Sequence, residues 1–147
     1  MKRILHAALC LALVPLGAAE AESPTAQRIY SDETQVGKIA DEFFDLLKAG
    51  KASEAYDVTL GSSPLMKGRE TDKQSLVEQL NSAIQIYGAV SRVEQVAEER
   101  QGAMVIRRRY IAQHEKMVTR WQIDFARLPG GWSVVYLGFD DKVANWD

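Results

Sequence analysis

The segment Met117-Val-Thr-Arg-Trp-Gln-Ile-Asp-Phe125 decides how the rest of the chain is read. Its odd positions, Met117, Thr119, Trp121, Ile123 and Phe125, are mostly apolar, while its even positions include Arg120, Gln122 and Asp124. Alternation with a period of two marks a strand with one buried face and one solvated face. The segments on either side alternate in the same way and can fold onto it as antiparallel neighbours. Four strands are expected, at about Ala89–Glu98, Ala103–Ala112, Lys116–Arg127 and Trp132–Phe139. The turns between them are short, so the sheet is a meander. Gly102 marks the first hairpin, and Pro129-Gly130 suits the central pair of a type II turn.

A register follows from closing those turns. A turn over Gln113–Lys116 pairs Arg108 with Trp121, Ile106 with Ile123 and Met104 with Phe125. A turn at Pro129-Gly130 pairs Phe125 with Val134, Ile123 with Tyr136 and Trp121 with Gly138, which would leave room for the indole. A two-residue turn at Arg100-Gln101 would set Val96 beside Val105. One face then collects Met104, Ile106, Tyr110, Trp121, Ile123, Phe125, Trp132, Val134 and Tyr136, and has to pack on helices. The other carries Arg107, Arg109, Arg120, Gln122 and Asp124, but also Val105, Ile111, Val118, Val135, Leu137 and Phe139. That is too apolar for a face in water, so either something covers it or it is a partner surface, and Val118, Val135, Leu137 and Phe139 are the candidate interface residues.

Before the strands the period is helical. Asp32 with Gln35 resembles a capping box, and Val36, Ile39, Ala40, Phe43 and Leu47 form a stripe that ends at Lys48 and Gly50. A short second helix is expected over about Ala52 to Thr59, with Ala55 and Tyr56 inward. Gly61–Gly68 reads as a loop by its breakers. Thr71 with Gln74 would cap a third helix, striped by Leu76, Val77, Leu80, Ala83, Ile84 and Tyr87 and ended by Gly88.

The N-terminus reads as a secretory signal. Lys2 and Arg3 precede an apolar run from Ile4 to Val14 that is too short to span a bilayer, and Ala19-Glu20-Ala21 supplies a cleavage site. The expected organisation is residues 1–21 removed, 22–31 a flexible lead-in and 32–147 one domain in the periplasm or outside the cell, with no membrane span after cleavage. Cys10 goes with the leader, so the exported chain has no thiol, no disulfide and no cysteine-based metal site. Removing Lys2 and Arg3 from the 18 basic residues and Glu20 from the 20 acidic ones leaves a net charge of −3, which argues against nucleic acid as a partner. The apolar and charged fractions, 46% and 26%, are those of a soluble globular domain.

Three helices followed by an antiparallel meander resemble the nuclear-transport-factor-2-like (cystatin-like) superfold, in particular its small exported bacterial domains of unknown function. The residues that carry the resemblance are Asp41-Glu-Phe-Phe-Asp-Leu-Leu-Lys-Ala-Gly50, Ala52-Ser-Glu-Ala-Tyr-Asp57, Ile86-Tyr-Gly-Ala-Val-Ser-Arg92 and Gly131-Trp-Ser-Val-Val-Tyr-Leu-Gly138. The resemblance implies an α+β fold, three N-terminal helices packed on a curved four-stranded antiparallel meander, shaped as a cone with an apolar pocket. It also implies a homodimer through the outer sheet face. Enzymes, ligand binders and assembly proteins share that fold, so it does not choose among them.

Candidate site residues follow from these faces. Arg108 lies on the expected core face beside Trp121 and Tyr110. It could anchor a ligand carboxylate or phosphate in a pocket walled by Trp121, Tyr110 and Tyr136; the alternative is a cross-strand cation–π pair. Asp124 could be a catalytic carboxylate or the partner of Arg107 or Arg120. Asp41 and Asp45 could reach a pocket as bases or lie on a solvated helix face. His114, alone in a turn, reads as exposed. No phosphate loop, Ser-His-Asp set or metal-ligand spacing appears, so no cofactor and no catalytic residue is assigned. The reading leans away from an enzyme, towards a binding domain that dimerises or docks on a cell-envelope protein, with a small apolar or anionic ligand in the cone as the alternative and a pocket enzyme using carboxylate or tyrosine acid–base chemistry ranked last.

Overall fold

The computed structural model describes residues 29–146. The expected leader 1–21, with Cys10, lies outside the described residues, as does the expected lead-in up to residue 28. Helices α1 (Gln35–Lys48), α2 (Ala52–Val58) and α3 (Glu70–Tyr87) precede strands β1 (Val90–Gln101), β2 (Val105–His114), β3 (Val118–Leu128) and β4 (Gly131–Asp140). The sheet is antiparallel in the order β1-β2-β3-β4, the α+β meander expected of the nuclear-transport-factor-2-like arrangement.

The stripe on α1 is buried as its spacing requires: Val36, Ile39, Ala40, Phe43, Phe44 and Leu47 all lie in the core. The helix closes with a Schellman motif, in which Gly50 N donates to Leu47 O and Lys51 N to Leu46 O while Gly50 takes φ 74°. Neither expected capping box forms. Asp32 Oδ1 accepts from Thr34 N (2.9 Å) in a turn ahead of α1, and Thr71 falls inside α3, whose first turn is braced by an Arg69–Asp72 ion pair (2.6 Å). The expected loop 61–68 is packed rather than loose. Two 3-10 turns, Leu60–Ser62 and Pro64–Met66, bury Leu60 and Met66, and the Thr59 and Ser62 hydroxyls donate to carbonyls one turn back.

The end of the lead-in is tied down. Tyr30 exchanges two backbone hydrogen bonds with Trp132 (2.9 and 2.7 Å), a short antiparallel bridge on the free edge of β4. Gly131, at φ 131°, is the residue of this corner that only glycine tolerates, so the turn is not the expected type II form, which needs a positive φ at Gly130.

Three register expectations are corrected. The first hairpin closes at residues 102–104, pairing Gln101 with Val105, and leaves Met104 exposed at its tip rather than in the core. The second closes one residue later than expected, so Tyr110 faces Trp121, Arg108 faces Ile123 and Ile106 faces Phe125. The third begins as expected with Phe125 opposite Val134. A bulge at Val135 then sets Asp124 opposite Tyr136, Ile123 opposite Leu137 and Trp121 opposite Phe139. One extra residue reverses the faces of everything beyond it. Leu137 and Phe139 therefore turn inward, Tyr136 turns outward, and Gly138 lies beside Gln122 instead of Trp121.

Candidate functional site

The pairings lay out both faces residue by residue. Three inner rows run Arg100, Ile106, Phe125, Val134; then Glu98, Arg108, Ile123, Leu137; then Gln95, Tyr110, Trp121, Phe139. The indole of Trp121 is 2% exposed, stacked on Phe139 (4.6 Å between centroids) and met edge-on by Phe43 and Phe44. Its N–H donates to Thr119 Oγ1 (2.7 Å). Aromatic side chains thus pack around Trp121 on three sides. Arg108 is also engaged: its Nε donates to Glu98 Oε2 (2.9 Å). Burial raises the Tyr110 phenol above its ordinary pKa, and the neighbouring Arg108 opposes that rise. Burial would likewise raise Glu98, yet Arg108 and Arg100 outweigh it and hold its carboxyl below the usual range. Of the four expected pocket residues, Arg108, Tyr110 and Trp121 share the inner face, and Tyr136 is on the other side.

His114 is buried at 4%, contrary to expectation. Its Nδ1 lies 3.0 Å from Gly88 O and its Nε2 2.9 Å from Thr119 Oγ1, while Lys116 N donates to Tyr87 O. Thr119 Oγ1 also receives the Trp121 N–H, so His114, Thr119 and Trp121 form one buried hydrogen-bonded chain. These bonds tie the hairpin to the end of α3 and explain why its turn closes one residue late. Tyr56 is fully buried with no partner for its hydroxyl among the described residues, and burial pushes its pKa up to about 12.

The outer face has a different chemistry. Its rows run Glu99, Arg107, Asp124, Tyr136; then Ala97, Arg109, Gln122, Gly138; then Glu94, Ile111, Arg120, Asp140. Arg107 forks onto Asp124 (3.1–3.4 Å), which also accepts from Gln122. Arg109 reaches Glu99 (2.5 Å), and Arg120 reaches Asp140 (3.2 Å). Asp124 is therefore the structural partner of Arg107, directly across the strand pair. The expected apolar interface shrinks accordingly. Leu137 is buried in the core, Phe139 stacks on Trp121, and Val135 is the half-buried bulge residue; Val118 stays at the end of the outer face, opposite Gln113.

Within this face lies a cleft of about 550 Å³ lined by Arg109, Arg120, Gln122, Tyr136, Gly138 and Asn145, among others. Gly138 is its floor: a Cβ there would sit 2.5 Å from the Tyr136 hydroxyl, so the phenol lies across the glycine. The C-terminal segment closes one end. Trp146 Nε1 donates to Asp140 Oδ1 (2.7 Å), and the Arg120 guanidinium lies 5.6 Å from the Trp146 ring centroid. Burial opposes ionisation of Asp140, but hydrogen bonds from Trp146, Lys142 N and Arg120 prevail and lower its pKa. No sequence signal marks this cleft. Val134-Val-Tyr-Leu137 is apolar throughout, so its alternation is silent about which residue faces outward.

Among the described residues, no helix is long and apolar enough to cross a membrane, and no group of three or more His, Asp or Glu side chains is placed to hold a metal ion. No family model matches the chain, and no curated protein matches it. Among solved structures, the chain is similar to a Campylobacter jejuni protein provisionally described as an NTF2-like transpeptidase. The two share 14% identity with a TM-score of 0.48, over 67% of this chain and 95% of that one.

Proposed function

We infer that this chain is an exported, non-enzymatic binding domain whose working surface is the outer face of the sheet. The observation that carries the reading is the cleft floored by Gly138, where Arg109, Arg120, Gln122 and Tyr136 converge on one side of rigid strands. Ion pairing holds these guanidinium groups in place before any partner arrives, which lowers the side-chain entropy lost on docking. Tyr136 is 49% exposed and supplies the amphipathic aromatic contact favoured at protein interfaces. The face is polar and charge-balanced, so the partner it suits is another polar protein surface, a second copy or an envelope protein. A ligand inside the cone is the weaker reading, because Glu98 occupies Arg108 and aromatic rings surround Trp121.

The test is native mass spectrometry and sedimentation of the mature chain recovered from the periplasm, alongside Arg109→Glu and Tyr136→Ala variants. Both substitutions are on the outer face and should leave thermal unfolding nearly unchanged while removing the dimer or the co-purifying partner. A complex that survives both variants would overturn the reading. Charged substitutions at Leu137 or Phe139 would not serve, since they strike the core.

A further inference from the structure

The two edge strands of the sheet differ in chemistry. β1 carries Arg92, Glu94, Glu98, Glu99 and Arg100 and is broken by two irregularities, features that discourage pairing with a further strand. β4 has no proline and no charged residue before Asp140. The start of its free edge is covered, since Tyr30 pairs with Trp132 and Ser63 lies against Ser133 (3.5 Å). Over residues 136–140, no backbone partner from outside the sheet reaches that edge among the described residues. Two concavities flank this open length and share Tyr136, Gly138 and Phe139. One is the outer-face cleft. The other, of about 300 Å³, lies between β4 and α3 and includes Leu76 and Gln79. A further hollow that shares Gln79 and Phe139 carries it along α3 to Ile86, which is 61% exposed.

We propose that the open end of β4 takes up an extended segment of a partner protein, with acidic side chains towards the outer face and apolar side chains towards α3. The bare edge selects a polypeptide. A hydrocarbon laid along it would bury N–H and C=O groups without partners, whereas an added strand pairs them. The flanks select the side chains, because alternate residues of a strand point to opposite faces. On the outer side the carboxylates are already committed: Asp124 to Arg107 and Gln122, Glu99 to Arg109, and Asp140 to Arg120 and Trp146. The guanidinium groups are less so. Arg109 donates from Nη2 alone and Arg120 from Nε and Nη2, which leaves N–H groups on both for an incoming acid. On the other side Leu76 and Phe139, both part-exposed, and Ile86 offer apolar surface. A second copy is a poorer match, since its β4 brings no acid before Asp140 and its β1 is bulged and carries both signs of charge. This mode of binding rests on the outer face being the working surface, and it narrows the partner to one exposed strand.

The experiment is an NMR titration of the mature chain with a blocked hexapeptide of alternating glutamate and valine. Control peptides replace glutamate by lysine, or N-methylate either the valine or the glutamate amides. Saturable shifts are expected at the amides of Leu76, Ile86 and residues 136–140 with the glutamate peptide. The lysine peptide should bind about tenfold more weakly, and one of the two N-methylated peptides should not bind, because only alternate amides face β4. Arg109→Gln and Ile86→Glu, on opposite sides of the edge, should each weaken binding about fivefold. Equal binding of the lysine peptide, undiminished binding of both N-methylated peptides, or no saturation by about 10 mM would overturn the proposal. The same shifts on concentrating the chain without peptide would place a second copy there and also overturn it. If Arg109→Glu and Tyr136→Ala release the natural partner while the hexapeptide fails to bind, the strand mode alone falls and the outer-face reading stands.

Discussion

On the inner face of the sheet, Trp121, Ile123 and Phe125 are at most 2% exposed and are held by packing; on the outer face of the same strand, Arg120 and Gln122 remain partly open to solvent and are held by charge and hydrogen bonds. Both sets come from one alternating segment, yet they contribute to different properties. Removing apolar area from water stabilises the inner face by about 1.5–3 kcal/mol for each large side chain. A partly exposed ion pair contributes about 1 kcal/mol or less. Stability therefore resides on the inner face. The outer face is free to present polar groups in fixed positions, which is what recognition requires.

The largest loss of stability should follow removal of the residue that divides β4 into two registers. Deleting Val135 should force either Leu137 and Phe139 out of the core or a new register along the whole β3–β4 pair. The two exposed side chains alone would cost about 3–6 kcal/mol, enough to abolish a cooperative urea transition in a marginally stable domain. A deletion variant with the wild-type urea midpoint would show that the bulge does not set the faces. Next in size is Trp121→Ala, which opens a cavity among Phe43, Phe44 and Phe139 and leaves Thr119 without the donor it receives. It should lower unfolding free energy by about 3–5 kcal/mol, read from the shift in urea midpoint.

The smallest effect belongs to the outer face. Asp140→Asn should cost less than about 1 kcal/mol at pH 7, because the pairing with Arg120 is partly solvated. Its pH dependence is more telling. The Asp140 carboxyl is depressed in the folded chain, so the stability it contributes is complete above the ordinary aspartate value of about 3.9 and is lost as pH falls through the lower folded value. The variant should therefore show a shallower loss of stability than the wild type below about pH 4. Parallel acid limbs for the two proteins would remove Asp140 from the account.

Most of the fold was legible in the chain itself, and the reason is visible residue by residue. The α1 stripe, the change of period after Gly88 and the inward set Ile106, Tyr110, Trp121, Ile123, Phe125, Trp132 and Val134 all survive, because a buried face tolerates no polar residue without a partner. The candidate site was much less legible. Tyr136, Leu137 and Phe139 were assigned to the wrong faces because an apolar run carries no parity. His114 looked exposed because its three neighbours are polar, although its partners, Gly88 and Thr119, are supplied by the tertiary fold.

By itself, then, the sequence determined the element order, the hydrophobic faces of α1 and β3, and the antiparallel meander, since each depends on local periodicity. Tertiary structure decided the registers, the bulge at Val135, the burial of His114, and the outer-face cleft in which Arg109 and Tyr136 come together. Those features depend on which distant group fills a space or accepts a hydrogen bond, and that information is distributed across the folded chain rather than carried by any one segment.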